Sequence, residues 1–334
     1  MLPLLPELAA HEAPSAGTEK TNRARVFVVE DTAAIVTFEP QRDRIVPMVD
    51  RGVMALTGKS SPQAAWLSLV STQDTVGVKV FTTPGPTSGT RSAVVEGVVE
   101  GLLNAGLAPR QVVIWDKHLD DLRRAGFFRL AERYGVRVAG SAEAGYDEKA
   151  FYETALLGKL VWGDSEFGQK GEGIGRKSFV SKLVSQQMTR IINVTPLLSH
   201  YQVGVSGNLW SLSMGSVDNT LRFETDARRL TEAVPEIFAL TNLADRVALN
   251  VVDALICQYE GSETQLLQYS TTLNQLWFSM DPVALDVLAM RELDRQRGTA
   301  RVSSAKINQE LYENASLLEL GVSDPSHIDV IKAP

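Results

Sequence analysis

Hydrophobic and polar positions follow a strand–loop–helix–strand order between residues 75 and 118. Residues 76–80 are a short run rich in valine, which is typical of a strand. Residues 81–90 hold two prolines, two glycines and five hydroxyl side chains and predict a loop. Apolar pairs at helical spacing across 94–103 predict a helix, and the apolar run 112–115 predicts a strand covered on both faces. This order predicts a βαβ unit, in which ligands bind beyond the carboxyl ends of the strands.

The same patterns predict further elements along the chain. Strands are expected at 25–30, 136–139, 190–195 with Pro196 as the end, 247–255, 276–280 and 327–332. Helices are expected at 46–56, 119–134, 148–157, 230–240 with an interruption near Pro235, 282–298 and 307–320. Residues 66–70 fit a short helix or an extended approach, and the glycine-rich residues 158–178 fit a mobile surface loop or hairpin. Because strands and helices alternate, we predict an α/β fold with a largely parallel central sheet and helices on both faces.

The chain divides into a short tail and one domain. Residues 1–24 predict a flexible N-terminal tail, and residues 25–334 predict a single α/β domain, since no internal repeat or linker divides them. The tail has no basic segment and prolines break its apolar stretch, so it is a poor secretory signal. No apolar stretch has the length of about 20 residues that spans a bilayer. We therefore predict a cytoplasmic protein, while export after loss of a signal stays open.

Composition excludes several classes of function. The net charge of −7 argues against a nucleic-acid partner, because a phosphate backbone requires a basic surface. Cys257 is the one cysteine of the 334 residues, so an internal disulfide and a cysteine-bound iron–sulfur cluster are not expected. The oligomeric state stays open.

Lys79 and Asp116 are the sharpest candidate residues. A lysine within an apolar strand raises the free energy of the fold unless its ammonium is paired or reaches the strand end. Lys79 would then hold an anion or act as an acid or base, or it would pair with Asp116, and both interpretations stay open. Asp116 follows a predicted strand directly, so it could bind a metal, orient a base or pair with Lys79.

The loop before the first predicted helix is a candidate anion site. Free backbone N–H groups and the helix dipole at a helix N-terminus favour anions. The ligand-binding candidates are Thr82, Thr83, Gly85, Thr87, Ser88, Gly89 and Thr90. An alternative is a helix cap in which Ser88 or Thr90 is the capping residue.

Further candidates lie near other strand ends. His118 and Asn208 are predicted to contact a ligand, and His200 is predicted to handle protons beside Lys79 and Asp116. Asp281 with Pro282 is a strong helix start, and Asp281 is also predicted to line the site. A divalent metal is possible, although no spacing requires one; its candidate oxygen and imidazole ligands are Asp116, His118, His200, Asp218 and Asp281.

Several stretches resemble one known family. They are VGVKV with the loop after it (76–90), VVIWDK (112–117), RIINVTPLLSH (190–200), VALNVVDAL with QYEG (247–261), MDPVALDVLAM (280–290) and LLELGVSDPSHIDVI (317–331). On these residues the chain resembles the domain of unknown function 362 family, from about residue 25 onward. The resemblance implies little about activity, because the family is largely uncharacterised, and many members resemble iron–sulfur proteins or carry export signals.

The chain departs from that family at polar positions. The family usually has asparagine where this chain has Phe81, and a Lys-Asp-His run where it has Leu198, Ser199 and His200. A later Lys-Asn pair corresponds to Trp210 and Ser211. The resemblance therefore implies a member without cluster-binding cysteines and with an altered or lost site.

Two hypotheses of function follow. One is an enzyme that acts on a small anionic substrate, with or without a divalent metal, and uses Lys79, Asp116 and His200 as catalytic residues. The other is a non-catalytic ligand-binding or accessory protein, a degenerate family member. The cofactor is unknown under either hypothesis.

Overall fold

A central sheet organises the fold in the computed structural model, which describes residues 23–303 and 308–333. The strands are β1 (Ala24–Glu30), β2 (Ile35–Val36), β3 (Glu39–Pro40), β4 (Val76–Val80), β5 (Val112–Asp116), β6 (Arg137–Gly140), β7 (Tyr146–Glu153), β8 (Lys177–Ser181), β9 (Arg190–His200), β10 (Gly204–Val205), β11 (Val247–Gln258), β12 (Ser270–Ser279) and β13 (Ile328–Lys332). The order across the sheet is β13-β1-β12-β11-β9-β4-β5-β6, and β10 pairs with β9.

Helices cover both faces of this sheet. They are α1 (Arg42–Thr57), α2 (Pro62–Leu69), α3 (Gly85–Ser88), α4 (Ser92–Asn104), α5 (Leu119–Arg124), α6 (Phe127–Tyr134), α7 (Ser141–Ala144), α8 (Asn208–Ser216), α9 (Leu221–Glu224), α10 (Ala227–Phe238), α11 (Pro282–Ala300) and α12 (Gln309–Leu317). No helix in the described part of the chain is long and apolar enough to cross a membrane.

Strand direction confirms the predicted α/β class. Strands β4, β5, β6, β9 and β11 run parallel to their neighbours in this group, and β13 runs parallel to β1. Strand β12 is antiparallel to both β1 and β11, so within the main path it alone is reversed. The carboxyl ends of β4, β5, β9 and β11 therefore lie at one edge of the sheet, and that of β12 lies at the other.

Two cores form on the two faces, as the alternation of side chains along a strand requires. The valines of β4 pack in one core with α1, α2, α4 and α6. Gly77 and Lys79 point to the other face, where the core contains α8, α10, α11 and α12. Lys79 therefore lies beneath α8, and α8 forms one wall of the site described below.

Most predicted elements are present, but four need correction. Residues 148–157 are not a helix: their helix-forming residues are overridden because Phe151 and Tyr152 in β7 pair with Phe179 and Ser178 in β8. This pairing makes a hairpin around residues 154–176. Strand β9 continues past Pro196 to His200, because Pro196 pairs with β11 next to a register shift, where its missing N–H is tolerated.

Two helix predictions and one boundary also differ. Helix α10 contains Pro235 without an interruption, and the predicted helix 119–134 is two helices because Gly126 adopts a φ of 87° between them. Ala24 begins β1 and Arg23 bonds to Asp329 at 3.0 Å, so these two residues of the predicted tail are part of the fold. The rest of the tail (1–22) and Ile307 of the predicted last helix lie outside the described residues.

Candidate functional site

A cavity lies where the crossovers of the sheet diverge. From β4 the chain crosses through α4 to β5, and from β9 it crosses through α8 and α10 to β11 on the other side. Because β4 and β9 are neighbours and their crossovers leave in opposite directions, a crevice opens at their carboxyl ends. The cavity has a volume of about 500 Å³. Its walls are formed by Phe81, Thr83, Asp116, Lys117, His118, Asp121, His200, Tyr201, Gln202, Trp210, Ser211, Met214, Gly215, Glu224, Ser262 and Glu263.

Lys79 and Asp116 form a buried ion pair next to this cavity, and of the two only Asp116 lines it. The Nζ of Lys79 lies 2.9 Å from Oδ1 of Asp116. It also donates to the carbonyl of Val80 at 2.7 Å and to Oγ of Ser211 at 3.0 Å. An ammonium has three donors, so all three are used within the protein. Burial lowers the pKa of Lys79, while the carboxylate of Asp116 opposes that shift.

Asp116 is equally saturated. Its Oδ2 accepts from the backbone N–H of Thr82 at 2.8 Å and from the Thr82 hydroxyl at 2.6 Å. Its Oδ1 accepts from the backbone N–H of Lys117 at 2.8 Å in addition to Lys79. Four donors fill the acceptor sites of a carboxylate. The pair therefore ties the ends of β4 and β5 to α8.

Gly215 permits α8 to pack directly on this pair. A Cβ atom at Gly215 would lie 2.5 Å from Cε of Lys79 and 3.0 Å from its Nζ. A side chain at this position would clash with Lys79. Because glycine has none, the backbone of α8 packs directly against the lysine. The sequence signal is a lone glycine within a helix, which indicates close packing.

Four backbone N–H groups of the hydroxyl-rich loop donate within the protein. The N–H of Thr82 donates to Asp116, that of Gly89 to the Gly85 carbonyl, and that of Thr90 to the Phe81 carbonyl. The N–H of Gly85 donates to the Thr82 carbonyl. These four N–H groups are therefore not available to bind the anion that the sequence suggested.

Side chains of the loop are also used internally. Ser88 donates to Gln258 at 2.6 Å, and Thr90 donates to the Val194 carbonyl at 2.8 Å. The Thr87 carbonyl accepts from the guanidinium of Arg91 at 3.0 Å. Thr83 is exposed and, of the seven ligand-binding candidates in this loop, it is the one that lines the cavity.

Neither Ser88 nor Thr90 caps the following helix. Residue Arg91 precedes α4 and donates its backbone N–H to Asp253 at 2.9 Å, and its guanidinium lies 3.0 Å from the same carboxylate. Asp253 thus already supplies the anion that the start of α4 favours. This buried carboxylate from β11 was not among the predicted site residues.

His200 is held as a neutral ring against the cavity wall. Its Nδ1 accepts from the backbone N–H groups of Gln202 at 3.2 Å and Val203 at 3.3 Å. Its ring lies 4.5 Å from that of Trp210, and burial lowers its pKa to about 4. Because Nδ1 is an acceptor, the proton of the neutral ring is on Nε2. His200 therefore presents a donor and not a free base.

Lys117 and His118 line the cavity beside Asp116. His118 is exposed and precedes α5. The Nζ of Lys117 donates to Oγ1 of Thr220 at 2.8 Å. Burial lowers the pKa of Lys117, and the carboxylates of Glu224, Asp164, Asp218 and Asp116 oppose that shift in this order.

Asn208 lies beneath the cavity and not in its wall. It begins α8, and its backbone N–H and its side-chain amide donate to Oδ1 of Asp286 at 2.7 and 2.9 Å. The N–H of Leu209 donates to Oδ2 of Asp286 at 3.0 Å. Asp286 from α11 thus caps α8 and fixes the wall that carries Trp210. Sequence reasoning did not assign this role to Asp286.

A row of polar side chains crosses the sheet at the level of Lys79. The register pairs Lys79 with Asn193, Asn193 with Asn250, and Asn250 with Ser279. Asn193 donates to the Asn208 carbonyl at 3.0 Å. The row therefore joins four strands to α8.

Asp281 does not join the other predicted residues. It caps α11 through the N–H of Ala284 at 2.8 Å and also accepts from Val322 at 2.9 Å. It follows β12, whose reversed direction places it at the opposite edge of the sheet, where it lines a separate cavity. The prediction that Asp281 lies beside Lys79 and Asp116 is therefore wrong.

The predicted metal ligands do not form one cluster. Asp218 accepts from the N–H groups of Phe179 at 2.6 Å and Ser165 at 2.7 Å, which ties it to the β7–β8 hairpin. Among residues 23–303 and 308–333, no three histidine, cysteine or carboxylate side chains are grouped so that they could hold a metal ion. The five predicted ligands are therefore not brought together at one place in this part of the chain.

Asp286 predicts a specific pH dependence of stability. Burial raises its pKa from 3.8 to about 6, so the folded state binds this proton more tightly than the unfolded chain. Its contribution to stability is full below pH 4 and decreases as pH rises to about 6. We expect the free energy of unfolding of wild type minus that of Asp286→Asn to decrease by up to about 3 kcal/mol over this range. Urea unfolding at matched pH values measures the difference, and a constant difference would contradict the assignment.

Comparison with known proteins gives a family and a distant structural neighbour. No characterised protein matches the chain. A crystal structure of a Thermotoga maritima protein from the Northeast Structural Genomics Consortium aligns with a TM-score of 0.43 and 12% identity; the match covers 77% of this chain and 59% of that one. The sequence profile of one family matches residues 76–291, well over half of the 334 residues. The chain belongs to the family described as Domain of unknown function (DUF362).

Proposed function

We propose that the protein binds a small organic molecule in the cavity at the carboxyl edge of the sheet. The observation that carries this proposal is the cavity of about 500 Å³ at the divergence of β4 and β9. Its volume lies within the range typical of small-molecule sites, which is about 300–1,000 Å³. Aromatic rings form part of its walls, and polar or charged side chains form most of the rest.

Lys79 and Asp116 support the site by positioning its walls. Every donor of the ammonium and every acceptor site of the carboxylate already has a partner in the protein. A reacting group would have to break one of these bonds before it could transfer a proton to a ligand. This saturation supports a binding function more than the catalytic roles that the sequence suggested for Lys79 and Asp116, and His200 is not a free base.

The competing hypothesis of an enzyme with a small anionic substrate stays a prediction. Lys117 favours it, because this ammonium lines the cavity and has no carboxylate within 4 Å in the described part of the chain. Lys79 does not add to it, because its charge is matched by Asp116. The cytoplasmic location and the divalent metal likewise stay predictions.

A cavity-filling variant tests the proposal. Thr83 is exposed in the wall, so Thr83→Trp should fill the cavity with little strain. We expect small aromatic fragments to give saturable binding to wild type in ligand-observed NMR, and Thr83→Trp to weaken it at least about tenfold. Fragments that bind the variant equally well would contradict the proposed place of binding.

Thr87→Trp provides a matched control on the same loop. Thr87 is partly exposed but does not line the cavity. Binding to Thr87→Trp should equal binding to wild type. Circular dichroism of both variants checks that the loop substitution has not changed the fold.

A further inference from the structure

The charges that line the cavity are mostly negative. Asp121, Glu224 and Glu263 bring three carboxylates to its walls in addition to the paired Asp116. Among the residues that line this cavity, Lys117 is the one lysine, and none is an arginine. Two of the carboxylates come from segments far from the predicted site, namely α9 and the turn after β11.

Glu224 and Glu263 have no cationic partner in the described ranges. Asp121 pairs with Arg124 on α5, and Asp116 pairs with Lys79, whereas neither glutamate lies within 4 Å of a cationic nitrogen of these residues. Partial burial raises the pKa of Glu263, and Glu224 is the largest of the charges that raise it further. Lys117 opposes this shift, but its one ammonium faces two carboxylates, so a net negative charge remains that a bound cation would reduce.

Aromatic rings form the wall next to these carboxylates. Phe81 and Trp210 meet edge to face with ring centroids 5.4 Å apart, and Tyr201 is 69% exposed at the cavity. The faces of such rings attract cations. His200 adds no positive charge, because it is neutral at ordinary pH.

Trp210 contributes the surface of a large aromatic ring to this wall. It is 6% exposed and lines the cavity, yet its indole N–H has no hydrogen-bond partner among the described residues. A buried indole N–H normally has a partner. The nitrogen is itself buried and an ammonium has no acceptor for it, so a bound cation would use the face of this ring and not its N–H.

We propose that the ligand of this cavity is a small organic amine, whose ammonium group lies between Glu224 and Glu263 and whose apolar body packs on Trp210 and Tyr201. This inference rests on the proposed binding function and names its ligand class. It departs from the anionic ligand that the loop suggested, because four N–H groups of that loop are used internally and the cavity charges without an ion pair are two carboxylates and one ammonium.

A matched trio of probes separates the charge of the ligand from its apolar body. The probes are 2-phenylethylamine, 2-phenylethanol and 3-phenylpropionate, which are cationic, neutral and anionic at pH 7.5. Isothermal titration calorimetry at low salt, with up to about 10 mM probe, covers weak binding in this range. We expect the amine to bind at least about tenfold more tightly than the propionate. This ratio corresponds to about 1.4 kcal/mol of favourable charge interaction.

A double variant tests the two glutamates. In Glu224→Gln/Glu263→Gln, the affinity for 2-phenylethylamine should fall about tenfold, and that for 2-phenylethanol should stay unchanged. The exposed residues Glu132 and Glu232 do not line the cavity, so Glu132→Gln/Glu232→Gln is a control with the same change in net charge. This control should bind the amine as wild type does.

The outcomes distinguish the inference from the function on which it rests. Binding of the propionate as tightly as the amine, or amine binding that ignores the double variant, overturns the amine assignment and keeps the cavity as a binding site. Failure of all three probes to bind overturns the proposed binding function itself. Amine selectivity that is lost in the double variant and kept in the control supports both.

Discussion

Lys79→Met is expected to lower the free energy of unfolding by about 3–5 kcal/mol. The substitution keeps the length of the side chain but leaves the carboxylate of Asp116 buried without its ion pair. Removing one partner of a buried ion pair has a cost of this size, because the remaining charge is desolvated and uncompensated. Urea unfolding at pH 7 measures the change. The exposed residue Lys59 supplies a control, since Lys59→Met should have little effect.

A double-mutant cycle separates the ion pair from the packing of the lysine stem. Asp116→Asn alone leaves the Lys79 ammonium unpaired and should also destabilise the protein by several kcal/mol. The double variant Lys79→Met/Asp116→Asn buries no charge at this place, so it should be destabilised by clearly less than the sum of the two changes. Additive effects would show that the two side chains do not act as a pair. The cycle therefore decides between positioning by an ion pair and independent packing.

Local patterns predicted the part of the site that a single βαβ unit builds. The valine run of β4, the helix α4 and the apolar run of β5 are contiguous in the chain, so their periodicity reports their burial. Asp116 is the last residue of β5, and Lys79 lies one residue from the end of β4. Their proximity follows from the parallel pairing of neighbouring strands, which a sequence pattern can indicate.

Long-range features of the site were not predictable in the same way. The expected place of Asp281 depended on the direction of β12, and an apolar run does not show whether a strand is parallel or antiparallel. Glu224 and Glu263 reach the cavity from α9 and from the turn after β11, so no local pattern relates them to Lys79. Residues 148–157 have helical composition but form β7, because pairing with β8 decides their structure.

The hydrogen bonds of the loop backbone explain why residues 81–90 do not form the predicted anion site. Its glycines and hydroxyls suggested free N–H groups for an anion, yet the donors of Thr82, Gly85, Gly89 and Thr90 are all used within the protein. A buried loop must satisfy its own backbone groups, and short polar side chains assist in doing so. The same composition therefore fits a ligand cradle and a self-satisfied loop, and the contacts separate the two.

Arg222 is a second buried charge on which the site depends. It lies on α9 two residues before Glu224, is 2% exposed, and donates to the carbonyls of Tyr152, Leu156 and Arg176. It also donates to Oγ of Ser178 at 3.0 Å. Burial lowers its pKa to about 10, so it stays charged at neutral pH. The guanidinium thus joins β7, β8 and the segment between them to the helix that carries a cavity carboxylate.

We expect Arg222→Met to lower the free energy of unfolding by about 3 kcal/mol, because it leaves several partly buried carbonyls without donors. The loss of stability should be larger in the β7–β8 hairpin than in the rest of the fold. Hydrogen exchange of amides in β7 and β8 should accelerate more than that of amides in β9 and β11, since the hairpin loses its attachment first. Arg228 on α10, with a side chain 87% exposed, is the matched control, and Arg228→Met should change neither measurement. Equal acceleration in all four strands would contradict the attachment role, because the hairpin would then open only with the whole fold.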